Sequence, residues 1–192
     1  MEFVSNDEVN GVLDDYGIVD VLEGEDRIYL EMDGGEGAVH LHLACPGCTA
    51  TPREGAKVLA IPKDRLAATV HNIIMRLHLS QLVLIPVGKW RKVFDAVAFS
   101  LAGNEDWQQF DATATVELNT RDPLLCEPAD FHVLEALVTS LINDTDQPDQ
   151  GLNIISTSSP VLVELVPDGA VRLSLGSQVL ADEVEPALAG SM

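Results

Sequence analysis

Apolar and polar positions alternate with a period of two over Ile28–Met32, Val39–Leu43, Ala112–Asn119 and Val171–Leu175. That period puts one face of a strand inward and the other outward, so four half-buried strands are predicted. Between the first two lies DGGEG, a glycine-rich turn, and the pattern predicts a hairpin over residues 26–44. Leu152–Ser156 and Val161–Val166 read as two more strands, and Lys57–Ile61 as a short one.

The centre of the chain, Leu82–Leu101, switches period. Leu82, Val83, Leu84 and Ile85 form a continuous apolar run, which suits a strand covered on both faces. Pro86 and Gly88 end it. From Trp90 the apolar residues fall at 90, 93, 94, 97, 98 and 101, one face of a helix. A second helix runs from Pro62 to about Leu77, with Leu66, Val70, Ile73, Ile74 and Leu77 on one face. A third covers Ala129–Ile142 behind Pro128. Gly103–Gln109 reads as a polar break. Val9, Val12, Leu13, Tyr16 and Val19 predict a weak helix or irregular arm, and the tail from Gln178 a short helix.

These elements predict an α+β fold: a mostly antiparallel sheet with about three helices packed mainly on one face. An α/β sandwich of alternating elements is the alternative, because strands and helices alternate from residue 57 to 156. The domain reading is an acidic N-terminal arm at 1–24, a single domain at 25–180 and a tail at 181–192. Strand, Pro-x-Asp and helix recur at Pro62/Asp64 and Pro128/Asp130, which divides the domain into halves 25–103 and 104–180.

Charge sharpens this picture. The 192 residues carry a formal net charge of -20. Residues 1–36 hold twelve acids against Arg27 alone, and 93–192 hold seventeen against Arg121 and Arg172. Residues 53–92 hold eight bases against Glu54 and Asp64. Such a field repels polyanions, so nucleic acid and anionic membrane are not the expected partners. No secretory leader or membrane span is read from the sequence, and three cysteines fit a reducing cytoplasm.

Candidate chemistry concentrates in two places. His40-x-His42-x-x-Cys45-Pro-Gly-Cys48 puts two imidazoles on one strand face beside a CxxC knuckle, ligand types that zinc prefers. Cys126 and His132 are distant candidates to complete a set. The same CPGC reads alternatively as a redox pair. The second place is the helix start at Gly88, Lys89, Arg91 and Lys92, where free amides and three cations suit an anionic ligand; there Asp95 lies within reach of Arg91 and Lys92. The serines at 156–159 lack nucleophile-elbow spacing, and no phosphate-binding or dinucleotide fingerprint is present. Asp14/Asp15 and Asp144/Asp146/Asp149 read as solvated acidic loops. Asp122, Asp130, Glu117 and Arg121 are expected to line a cleft at one end of the sheet.

The function expected from these features is non-catalytic: a cytoplasmic protein-binding, adaptor or chaperone-like domain whose partner is another protein or a second copy of itself. Zinc binding at His40–Cys48 and an enzyme binding an anion at the Gly88–Arg91 helix start are the alternatives.

Overall fold

The computed structural model describes residues 1–33, 35–114 and 117–192. In chain order the elements are β1 (Glu2–Phe3), α1 (Asn6–Asp15), β2 (Ile18–Leu22), β3 (Ile28–Met32), β4 (Val39–Ala44), β5 (Lys57–Ala60), α2 (Lys63–Arg76), β6 (Leu82–Pro86), α3 (Trp90–Val97), α4 (Glu105–Thr113), β7 (Leu124–Cys126), α5 (Phe131–Asp144), β8 (Leu152–Ser156), β9 (Val161–Val166), β10 (Ala170–Leu175) and α6 (Gln178–Ala189). Eight strands form one sheet in the order β1-β7-β6-β8-β9-β10-β4-β5, and β2 and β3 form a separate pair. The large sheet is mixed: β4 and β5 run parallel, and its other pairings are antiparallel. The α+β class holds, with six α-helices among the described residues where about three were expected.

β6 sits inside the sheet because both of its faces are apolar. Leu82 and Leu84 enter a core built with α2, α3, α5 and α6, while Val83 enters a second core on the opposite face. That second core is capped by α1 and the β2–β3 pair through Val9, Ile18, Leu30 and Met32, all nearly fully buried. The molecule is therefore layered: helices, large sheet, then helix plus hairpin. The acidic first 36 residues form much of the outer layer.

The expected 26–44 hairpin does not form. Both strands exist, but β3 pairs with β2, and β4 pairs with β10 and β5. Leu30 and Met32 belong to the second core, whereas Leu41 and Leu43 face the helices. Strands in different layers cannot share an edge, so β3 and β4, in different layers, do not turn back on each other. Gly17, at φ +62°, supplies the tight entry to β2; a Cβ there would lie 2.7 Å from the Asp33 carbonyl oxygen.

Two more expectations are corrected at 103–119. The predicted break is helix α4, and the predicted strand 112–119 is the end of α4 and a 3-10 turn at Glu117–Asn119, with Thr115 and Val116 outside the described residues. Aromatic packing decides α4: Trp107 and Phe110 join Phe94, with ring centroids at 4.7 and 5.8 Å from it. Phe3 and Trp90 extend the cluster. Burying such rings outweighs the few tenths of a kcal/mol by which polar residues differ in helix propensity. The Asn104 side chain caps the helix, accepting from the Trp107 amide at 2.9 Å.

Candidate binding surface and polar cleft

An open strand edge carries unpaired main-chain groups that can accept a further strand. In the large sheet, β1 is two residues long, and β5 is a short edge that opens with Lys57. In the small sheet, the free edge of β3 is covered: the Leu30 carbonyl accepts from Arg53 Nη2 at 2.6 Å, and the Ile28 amide donates to the Val87 carbonyl at 3.0 Å. β2 differs. Its five residues contain neither lysine nor proline, and no strand lies on its outer side among the described residues.

The hydrogen-bond phase of β2 follows from its ends. Gly17 accepts from Asp33, and Glu23 donates to Arg27, so the odd-numbered positions pair toward β3. The main-chain groups of Asp20 and Leu22 therefore point outward. Val19, Val21 and Leu22 are exposed, at 53%, 38% and 69%. Six exposed acids lie within a few residues of them in sequence, Asp14, Asp15, Asp20, Glu23, Glu25 and Asp26, with Arg27 as the one base in that stretch.

Beside the hairpin lies a row of polar side chains across the large sheet. Asn153 on β8 is in register with Glu164 on β9, Glu164 with Arg172 on β10, and Arg172 with His42 on β4. Period two puts all four on the hairpin side of the sheet. Asn153, Glu164 and His42 are buried to 2% exposure or less. Arg53, from the loop between β4 and β5, closes the row from above. Its Nε and Nη2 reach the two Glu164 carboxylate oxygens at 3.1 and 2.7 Å, and its Nη1 reaches Glu31 at 2.8 Å. Arg172 is held more loosely: Nη1 is 3.7 Å from Glu164, Nη2 donates to the Thr51 carbonyl at 2.9 Å, and Nε is buried without a partner.

Burial dominates the titration of this row. It raises the Glu164 carboxyl, against the pull of Arg53 and Arg172. It lowers the His42 imidazole, and the facing Arg172 lowers it further, while a hydrogen bond to the Ala50 backbone acts the other way. Buried unpartnered atoms at His42 Nδ1 and Asn153 Oδ1 lie in the same row.

A cleft of about 600 Å³ opens above Arg172. Val21, Leu22 and Tyr29 of the hairpin form one wall, and Thr49–Arg53 and Val166–Asp168 form the others. Glu23, Asp146 and Asp168 stand along it. The Asp168 carboxylate accepts from the Thr49 amide and hydroxyl, both at 2.6 Å, which lowers its pKa.

The four residues read as a zinc set are not assembled. His40 and His42 share a strand face as expected, but His40 Nδ1 is 2.9 Å from Ser174 Oγ and His42 lies in the buried row. Cys45 Sγ lies 3.9 Å from the Asp168 carbonyl oxygen. No group of three His, Cys, Asp or Glu side chains converges to hold a metal ion among the described residues. The physical reason is that β4 stays in the sheet up to Ala44, which directs the histidines and the CPGC turn to different neighbours.

The helix start at Gly88 is occupied by the protein's own groups. Gly88 packs so closely on Asp149 that a Cβ would lie 2.5 Å from its carbonyl oxygen. The Trp90 amide donates to the Thr120 carbonyl, and Lys92 pairs with Asp149 at 3.4 Å. Arg121 donates to the Val87, Gly88 and Asp26 carbonyls, so it ties the hairpin to this turn.

Asn153, Glu164 and Arg172 were not singled out as site residues from sequence. The signal was present: Glu164 is the one polar residue of an otherwise apolar β9, Asn153 and Arg172 interrupt apolar runs in β8 and β10, and Glu164 and Arg172 lie on either side of a tight Pro-Asp-Gly turn. No protein-family model matches the chain, and no curated protein or solved structure matches it either.

Proposed function

We propose that this is a protein-binding module of adaptor or chaperone type, which takes up an extended segment of a partner by strand addition at β2. The carrying observation is the open β2 edge, with Val19, Val21 and Leu22 exposed and six acids near them in sequence. Strand addition draws affinity from main-chain hydrogen bonds and specificity from alternate side chains. The charge selects the partner: a segment alternating apolar and basic residues complements this edge, while an acidic one is repelled. A second copy is the weaker fit, because two-fold pairing about the middle of β2 would set Asp20 against Asp20.

The test is fluorescence anisotropy with a ten-residue peptide alternating lysine and valine, and its glutamate–valine counterpart. The basic peptide binds, weakens as salt rises, and is lost in Leu22→Pro, which removes an outward amide while leaving the circular dichroism spectrum unchanged. Equal binding of the acidic peptide, or unchanged binding by a folded Leu22→Pro, sinks the proposal. A dimer in sedimentation that Leu22→Pro dissociates would assign the edge to a second copy instead.

A further inference from the structure

The CPGC turn after β4 carries an inference independent of the β2 edge. We infer that Cys45 and Cys48 are a reversible dithiol–disulfide pair, oxidised by a low-molecular-weight disulfide of the glutathione type and reduced by the corresponding thiol.

The turn sets the geometry. The Cys48 amide donates to the Cys45 carbonyl at 3.2 Å, and Gly47 has φ +87°. A hydrogen-bonded turn with proline second and a left-handed glycine third is of type II. The first and fourth Cα atoms of such a turn lie within about 7 Å of each other. A disulfide spans about 4.4–6.8 Å between Cα atoms, so the backbone is already close to the bridged form. Burial raises the Cys48 thiol's pKa, and a side-chain hydrogen bond from Cys45 raises it further, so the two sulfurs face each other.

The fold fixes the turn at both ends. Ala44 is held in register with Ala170 on one side and Ala60 on the other, and the Cys45 amide donates to the Gly169 carbonyl at 3.2 Å. Just past Cys48, the Thr49 amide and hydroxyl both bond the Asp168 carboxylate. Both thiols are partly exposed, within reach of a small disulfide, while Cys126 is buried. The imidazoles that would make the pair a metal site lie elsewhere, on Ser174 and in the buried row.

The chemistry takes two exchanges. Cys45, as the thiolate, attacks one sulfur of the small disulfide, whose S–S bond breaks and releases one thiolate. Cys48, held as the thiol, is the resolving partner. It gives up its proton and attacks Cys45 Sγ, which closes the bridge and expels the second thiolate. Two protein thiols are oxidised, one small disulfide is reduced to two thiols, and the two protons leaving the protein go to the two released thiolates.

The experiment equilibrates the full chain in mixtures of reduced and oxidised glutathione at neutral pH. Samples are quenched with acid, alkylated with N-ethylmaleimide in urea and weighed intact. As the mixture becomes more oxidising, three maleimide additions fall to one in a single step, and glutathione adducts do not accumulate. Cys48→Ser stops at a glutathione adduct, which peptide mapping places on Cys45. Closure is at least about ten-fold more favourable than in a synthetic peptide of residues 43–50, because the fold has already fixed the turn. Three additions at every ratio, glutathione adducts in place of the bridge, or closure no more favourable than in the peptide overturns the inference.

Discussion

Arg53, in the loop after β4, grips Glu164 in the middle of β9 with two hydrogen bonds of 3.1 and 2.7 Å. The same side chain holds Glu31 and the Leu30 carbonyl of β3. One residue thus joins the loop, the hairpin layer and the large sheet. Stripping one partner from a buried ion pair costs about 3–5 kcal/mol, because the other charge is left uncompensated. Arg53→Met therefore lowers the urea midpoint strongly, near the lower end of that range since Arg172 still faces Glu164. The double variant Arg53→Met/Glu164→Leu recovers a large part of the loss. Equal destabilisation of single and double variants would show that the loop's packing, not the stranded charge, sets the cost.

His42 makes stability depend on pH. Burial and Arg172 lower its folded pKa, so the folded state binds fewer protons than the unfolded state in acid. Its contribution is fully present above the unfolded imidazole value of about 6.5 and is lost as pH falls below it. Glu164 works in the opposite sense: its raised pKa gives stability at low pH that is lost as pH rises through the folded value. Urea midpoints at three pH values between 5 and 7 separate them, since His42→Leu removes the acid-side loss and leaves the Glu164 contribution. A His42→Leu variant with the same pH slope as the parent would contradict this.

The three cysteines separate by reactivity. Cys126 is fully buried, and burial with Asp130 nearby pushes its thiol up to about 12, so at neutral pH it is a thiol rather than the reactive thiolate. Cys45 and Cys48 are partly exposed on the CPGC turn. A disulfide-exchange reagent at pH 8 labels two cysteines in the folded protein and three in urea. Rapid labelling of Cys126 without denaturant would mean that the sheet around β7 opens.

Gly88→Ala tests the contact that closes the central helix start. The added Cβ falls 2.5 Å from the Asp149 carbonyl oxygen, so the loop at 148–150 must move. Overpacking of this kind costs about 1–3 kcal/mol. Thermal unfolding reads the loss, and Asp149→Gly does not restore it because the clash is with backbone.

Much of the fold was legible where a local period carried it. β6, β8, β9, β10, α2 and α5 all lie where their apolar patterns put them. The period fails at 103–113, where Trp107 and Phe110 make a helix of a segment that reads as polar; its signal was the cap, Asn104 followed by Glu105 and Asp106. The candidate site was legible only in fragments. His40 and His42 were seen as one face, while the partners of that face, Ser174 and Arg172, lie more than a hundred residues away.

By itself the sequence determined which residues turn inward on β6, β8, β9, β10, α2 and α5, because burial there follows a short-range period of 2 or 3.6 residues. It also determined the segregation of charge. Tertiary structure alone decided which strands are neighbours: that β3 turns back to β2 and not forward to β4, and that Asn153, Glu164, Arg172 and His42 fall in one row. The physical reason is that a strand's pattern states which face is buried and says nothing of the strand beside it. Pairing and register are settled by the fit of distant apolar faces into two separate cores.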